Sequence, residues 1–539
     1  MEREARVREG EASKNAVPLR ARTGRSAIFV AAGILTSRLA GLVRLRAFAY
    51  YFGLESDAAD AFNAGFRIPN FLQNLFGEGA LSASFIPVYA ALLARDERRE
   101  ADRVAGAVAS LLALMVGIVV LIGIFATPVL IAAIAPGFKG AKRELTIEIV
   151  RILFPGAGLL VLSAWCLGVL NSHHRFFLSY TAPVMWNAAM IITLVLYGHS
   201  TLPRLAIMLA WGSVAGSALQ FAVQLPVVLR LASDLKFGLD TASEHVRTVM
   251  KNFVPVFMSR GVVQVSAYID SLLSSLLPTG AVTGLANAQL LYTLPVSLFG
   301  MSISAAELPA MSGVIGRDPG GMEAIRSRLN SGLRHIAFFV VPSAVAFLLL
   351  GDVLAGALLE TGRFRHADSL YVWGILAGSG VGLLASTLGR LYSSVYYALR
   401  DTRTPLRYAL LRVLLTTILG YVFAIPLPRW LEIPSIWGAA GLTASAGLAG
   451  WVEMLLLRRT LNSQIGHTGL EIGFVIKLWS AAFAGAAVAW LVKFNVPVFH
   501  PIITAALVLG PYGLVFLGMT LVLGIPEARN AIRLGKRAR

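Results

Sequence analysis

From Val104 to Ala135 the chain reads VAGAVASLLALMVGIVVLIGIFATPVLIAAIA without one charged residue. A helix that crosses the hydrocarbon core of a bilayer needs about 20 such residues, and a soluble domain has no place for an apolar run of this length. Runs of the same character recur along the whole chain, so the sequence predicts an all-α polytopic membrane protein. A transmembrane β-barrel is excluded, because its strands alternate apolar and polar positions instead of running continuously apolar. The expected spans are 27–52, 57–93, 104–135, 145–171, 177–198, 205–229, 247–276, 280–314, 335–359, 370–398, 406–427, 436–457, 471–492 and 502–524, about fourteen helices in all. Composition agrees: 56% of residues are hydrophobic and only 14% charged, with a mean hydropathy of +0.71.

A formal net charge of +18 suggests nucleic acid until its placement is considered. With the N-terminus in the cytoplasm, cytoplasmic segments hold about 30 Lys and Arg against about 8 outside, the asymmetry that fixes membrane topology. The positive balance therefore reports orientation and contact with anionic lipid, and no nucleic-acid partner is expected. Residues 1–25 mix Glu and Arg ahead of the first span and read as a basic cytoplasmic tail, as do residues 525–539; both termini are expected in the cytoplasm. The lone cysteine, Cys166, allows neither an intramolecular disulfide nor a cysteine-based metal site. P-loop, HExxH and GxSxG motifs are absent, and His173-His174 reads as a solvated pair rather than a metal site. No catalytic residue, metal or cofactor is expected.

The chain also repeats itself. LFGEGALSASFIP ends at Pro87 and LFGMSISAAELP at Pro309; Arg38 in TSRLAG and Arg260 in MSRGVV lie the same 222 residues apart as the two prolines. Two anchors in one register argue for a duplication. The expected organisation is a first lobe over 26–230, a cytoplasmic linker over 231–245, a second lobe over 246–458, and two further helices over 459–524. Six helices per lobe leave both lobes in the same orientation, a plan that in transporters places the substrate path between the halves near the midplane.

Charges at bilayer depth narrow the function. An arginine there costs at least about 2.5 to 3.5 kcal/mol, so it faces a cavity or a partner. In the second span Asp60, Arg67, Asn74 and Glu78 fall within a sector of roughly 40° on an ideal helix. One reading is a static ion-pair ladder. The other rests on the surplus of positive charge: Arg38, Arg44, Arg46, Arg67 and Arg260 outnumber Asp60, Glu78 and Asp270 in the first and seventh helix pairs. An anion-binding cavity follows, and guanidinium groups bind phosphate oxygens in bidentate fashion, which suits a diphosphate. Arg38 and Arg44 lie about 120° apart on an ideal helix, with Gly41 between them as a possible bend. Glu307, ahead of Pro309, either caps its helix or lines an inner gate.

At DAADAFNAGFRIPNFLQNLFGEGALSASFIPVY, residues 57–89, the sequence resembles the MurJ (MviN) family of lipid II flippases, with its DAF, basic-x-Pro-Asn, EGA and S-x-x-F-x-P series. SRLAGLVR, VLNSHHRFFLSYTAPVMWN and ALRDTRTPLR resemble the family's first helix and two of its loops. The resemblance implies the fold of the multidrug/oligosaccharidyl-lipid/polysaccharide (MOP) exporters, similar to the MATE transporters: two pseudo-symmetric six-helix lobes and a two-helix C-terminal groove for a lipid tail. It implies Arg38, Arg44, Asp60, Arg67 and Glu78 as substrate-binding residues, to which the repeat adds Arg260. Asn74, Gln73, Asp270, Gln289 and Glu307 are candidates for cavity lining or gating. The family's arginine after PN-x-x is Gln73 here, and ANAQLLYTLP offers Gln289 and Leu290 where the family has an acidic or amide residue followed by Arg. The implied activity is transport of lipid II across a bacterial inner membrane, driven by membrane potential or an ion gradient, with membrane lipids and peptidoglycan-synthesis proteins as further partners. The alternatives are a flippase for another polyprenyl-diphosphate-linked glycan, a drug/cation antiporter, and a scaffold that recruits peptidoglycan synthases.

Overall fold

A computed structural model describes residues 33, 35–238, 243–312, 321–497 and 499–529, and contains no β-strand among them. Packing divides the chain into two compact units. The first comprises Met1–Tyr51, Ala61–Ile134 and Phe138–Tyr268; the second comprises Phe52–Asp60, Ala135–Gly137 and Ile269–Arg539. The boundary thus falls inside the seventh expected helix, whereas the repeat places it in the 231–245 linker.

The first unit begins with α1 (35–52) and takes up α2 (Asp57–Leu72) from Ala61 onward. The helix continues as a π-helical segment, Gln73–Leu81, into α3 (Ser82–Ala94). Then follow α4 (Arg98–Ile134), α5 (Gly140–Ser172), α6 (Phe176–Thr181), α7 (Pro183–Tyr197), α8 (Leu202–Leu231) and most of α9 (Glu244–Ser275). Local chemistry starts α2: the Ser56 hydroxyl accepts from the Ala59 N–H at 3.0 Å, and Asp57 and Asp60 place negative charge in its first turn. The core packs Phe85, Tyr89, Trp165 and Val161 against α4, and Trp165 Nε1 donates to the Ala105 carbonyl at 3.2 Å. Between α5 and α8 runs a chain of buried polar side chains: Gln220 Nε2 donates to Ser163 Oγ at 2.9 Å, and that hydroxyl donates to Gln224 Oε1 at 3.2 Å.

The second unit carries α10 (Ala281–Pro295), a second π-helical segment Val296–Met301, α11 (Ser302–Ser312), α12 (Gly321–Leu349), α13 (Gly351–Leu359) and α14 (His366–Ala398). It continues through α15 (Arg403–Ala424), α16 (Pro426–Trp430), a short 3₁₀ turn, α17 (Gly438–Ile465), α18 (Ile472–Asn495) and α19 (Pro501–Val522). Helices α14 and α17 approach through glycines: a side chain on Gly382 would collide with the Gly447 backbone, the small-residue contact that substitutes for hydrophobic driving force in lipid.

Exposure runs opposite to that of a soluble protein. On α4 Leu121, Ile122, Phe125 and Val129 point outward, as do Leu410, Leu414 and Ile418 on α15, a surface that suits hydrocarbon. The Thr127 and Thr417 hydroxyls bond back into their own helical turn, to the Gly123 carbonyl at 2.7 Å and the Val413 carbonyl at 2.8 Å, so both donors are satisfied without water. Among the described residues, ten helices are long and apolar enough to span a membrane; the expected count of fourteen is not reached by that measure. The expected span 27–52 begins outside the described residues. Spans 57–93 and 280–314 are interrupted by the π-helical segments, and 247–276 corresponds to α9, which carries Glu244, Arg247, Lys251, Arg260 and Asp270.

Candidate functional site

In the first unit the structure builds a cationic site around Arg44. The half-buried side chain leaves α1 and its Nε donates to Asn187 Oδ1 on α7 at 2.9 Å. Its guanidinium carbon lies 5.3 Å from the ring centre of Phe66 and 5.5 Å from that of Trp186. Those rings stack with centres 5.3 Å apart and planes 8° from parallel. Trp186 is fixed in turn, because its Nε1 donates to the Ser213 carbonyl at 3.1 Å and to its hydroxyl at 3.2 Å. A delocalised cation on two aromatic faces is stabilised without being neutralised. No carboxylate pairs with Arg44 among the described residues.

The other expected residues separate. Arg38 is exposed on α1 and makes no ion pair with a described residue. Arg67 is half-buried on α2, and its carbonyl accepts from the Tyr268 hydroxyl at 3.3 Å. Gln73 and Asn74 open the first π-helical segment, Gln73 half-buried and Asn74 exposed. Glu78 lies in that segment and Arg260 in α9; their side chains lie outside the described residues.

In the second unit Asp60 is 1% exposed and its carboxylate accepts at the start of α10. Its Oδ2 accepts from the Gly280 N–H at 2.9 Å, and its Oδ1 from the Thr283 N–H at 2.9 Å and the Thr283 hydroxyl at 2.7 Å. Asp57 accepts from the Thr279 hydroxyl at 2.8 Å. The carboxylate thus closes the N-terminus of α10, whose orphan N–H groups and dipole favour an anion. Asp270 is half-buried and Gln289 is exposed. Glu307 lies 3.5 Å from Arg328.

The continuous polar stripe is therefore corrected. Asp60 and Arg67 sit in α-helical turns, while Asn74 and Glu78 fall in the wider-turned segment Gln73–Leu81, which breaks the 100° phase on which the alignment rests. Asp60 and Arg67 also belong to different units. QNLFGEGAL contains two glycines, the residue with the weakest hold on α geometry after proline.

Sequence reasoning missed Asn187, Trp186 and Phe66. A signal was present: Asn187 is the sole amide in PVMWNAAMIITLVLY, and a polar residue deep in such a run has a partner. It also missed three ion pairs of the second unit, Arg412–Glu453 at 3.1 Å, Lys493–Asp352, and Arg334–Glu527 with hydrogen bonds of 2.7 and 3.3 Å. Among the described residues no group of three or more His, Cys, Asp or Glu is placed to hold a metal ion.

Comparison with known proteins adds the lineage. Residues 48–510 match the family described as lipid II flippase MurJ; Arg38 and Arg44 precede that range. The lipid II flippase MurJ of Burkholderia cenocepacia is 32% identical over 441 residues, covering 80% of this chain and 82% of the relative. The probable lipid II flippase MurJ of Rhizobium meliloti is 29% identical over 469 residues, 85% of this chain and 84% of the relative. A solved structure of the lipid II flippase MurJ in an inward closed conformation superposes with a TM-score of 0.76 at 25% identity, covering 94% of this chain and all of the other. An inward-facing MATE transporter of the MOP superfamily reaches 0.63 at 16% identity over 79% of this chain and 95% of the other, a likeness of fold alone. The chain is a multi-pass membrane protein and belongs to the lipid II flippase MurJ family.

Proposed function

We propose that this chain carries an undecaprenyl-diphosphate-linked peptidoglycan precursor, lipid II, from the inner to the outer leaflet of a bacterial cytoplasmic membrane. The observation that carries the reading is the Arg44 site: a cation held on two aromatic rings and an amide, with no carboxylate to neutralise it among the described residues. Moving a diphosphate through hydrocarbon requires groups that replace its water shell, and arginine offers planar, bidentate N–H pairs at the right spacing. The named relatives supply the substrate class. A drug/cation antiporter needs the opposite field, a carboxylate-dominated cavity.

Transport proceeds by alternating access, with arginines lining a cavity in the membrane interior and no covalent step. Both termini are cytoplasmic. Membrane potential or an ion gradient drives the cycle; each elementary charge moved through the full field contributes about 2.3 kcal/mol per 100 mV. A second reading, transport of a different polyprenyl-diphosphate-linked glycan, is favoured by Gln73 and Leu290, which stand where the family has arginines. The test is rescue of bacterial cells depleted of their own lipid II flippase. Rescue by the parent chain and its loss with Arg44→Ala are expected; a parent chain present in the membrane but unable to rescue overturns the lipid II reading.

A further inference from the structure

The sequence marks Arg44 and says nothing of what holds it. Asn187 is 5% exposed, and both ends of its amide are used: Nδ2 donates to the Pro183 carbonyl at 3.0 Å and Oδ1 accepts from Arg44 Nε at 2.9 Å. A carbonyl can only accept and a guanidinium can only donate, so the two partners dictate the same amide orientation. Arginine carries five N–H donors and Asn187 takes the one on Nε, leaving the two terminal nitrogens with their paired donors. The ring of Trp186, one residue earlier on α7, lies against the guanidinium and is pinned by Ser213 on α8. Helix α8 comes close enough for this because Gly216 lacks a side chain: a Cβ there would stand 2.8 Å from Trp186 Cδ1.

An amide is also the informative choice of partner. A carboxylate at this position would bind the guanidinium more strongly and cancel its charge. If the contact served only to hold α1 against α7, aspartate would do as well or better. We propose that Asn187 is a positioning residue which, with the Trp186–Phe66 stack, orients Arg44 so that its terminal nitrogens grip the diphosphate of the transported lipid while the guanidinium keeps its full charge. This rests on the reading of Arg44 as a substrate ligand given above.

The test uses the full chain in detergent micelles, with undecaprenyl diphosphate as the probe and uncharged undecaprenol as the control, and reads affinity and thermal midpoint together. Asn187→Asp is nearly isosteric and keeps the bond from Arg44 Nε; it gives up the one to the Pro183 carbonyl, a loss that the new ion pair with Arg44 offsets. Expected are an unchanged or raised midpoint, affinity for undecaprenyl diphosphate weakened at least ten-fold, and unchanged affinity for undecaprenol. Asn187→Ala, which frees the guanidinium without neutralising it, is expected to weaken diphosphate binding several-fold, and it carries the test if Asn187→Asp fails to fold. Parent-like diphosphate affinity in Asn187→Asp, or in Asn187→Ala where only that variant folds, overturns the inference if Arg44→Ala abolishes binding. Parent-like affinity in Arg44→Ala overturns the underlying reading of Arg44, and this inference with it.

Discussion

The two copies of the internal repeat keep the same backbone irregularity and part company in charge. In the first copy α2 passes through Gln73–Leu81 into α3; in the second α10 passes through Val296–Met301 into α11. Both π-helical segments contain the tripeptide LFG, at 75–77 and 298–300. At that offset of 223 residues Asp60 corresponds to Thr283, Arg67 to Leu290 and Asn74 to Ser297. One pair of equivalents even touches, since Asp60 accepts from the Thr283 hydroxyl and N–H. A segment with π hydrogen bonding stores a local irregularity of the kind that marks functional sites, and its retention in both copies assigns it to a property the halves share. At these aligned positions the charges lie in the first copy alone, and under the proposed function the anion would be recognised mainly there.

The largest effect that could break this comparison is in the first copy. Arg44→Ala is expected to abolish rescue of flippase-depleted cells with the protein still present in the membrane, whereas Arg260→Ala, 222 residues from Arg38, tests whether the second half adds positive charge of its own. A rescue defect in Arg260→Ala as severe as that of Arg44→Ala would make recognition two-sided. The shared backbone feature is next. Deleting Ser297 removes one residue from Val296–Met301, which permits regular α hydrogen bonding; transport is expected to fall at least ten-fold with the thermal midpoint kept, and unchanged transport would make the segment a passive accommodation.

A smaller effect concerns Asp60. Asp60→Ala leaves the Gly280 and Thr283 donors without their buried acceptor, at about 1–3 kcal/mol for each group left unpaired. Thr283→Val, which removes one hydroxyl, should cost about 1 kcal/mol. Thermal unfolding of the two variants ranks them. If Asp60→Ala is as stable as the parent yet fails to transport, the residue acts on substrate and not on the end of α10.

The smallest effect lies within the second unit, where Arg334 of the second lobe meets the segment past the repeat. Glu527 is held by Arg334, whose guanidinium also covers the Phe474 ring at 4.3 Å. Burial pushes the Glu527 carboxyl up, but the hydrogen bonds and charge of Arg334, a backbone hydrogen bond and the charge of His335 together outweigh it and hold the group below the usual glutamate range. A depressed value in the folded state contributes stability that is complete above the unfolded value of about 4.3 and is lost as pH falls through the lower folded value. Proteolysis of the C-terminal segment should therefore accelerate only below about pH 4, and Glu527→Gln should remove that dependence.

Some of this molecule was legible in its sequence because the bilayer imposes it. Apolar runs announced the helices, and the register between Arg38–Arg260 and Pro87–Pro309 announced the duplication. The polar stripe was illegible as a site because its alignment assumed one unbroken helix, and the shift at Gln73 is a backbone event that side-chain periodicity does not record. The partners of the charges were hidden for another reason: Asn187 lies 143 residues from Arg44 and Lys493 lies 141 from Asp352, and pairings at such separation leave no local pattern. Arg44 could be named as a candidate; that its charge rests on an amide and two rings required the fold.

The reading stands on a positively charged path for a diphosphate-linked lipid, and one measurement reaches it without intermediaries. In spheroplasts whose own flippase has been inactivated, the fraction of lipid II cleaved by an externally added diphosphate-cleaving toxin reports arrival at the outer leaflet. Cleavage restored by the parent chain and absent with Arg44→Ala is the expected result. Cleavage at the parent level with Arg44→Ala would contradict it.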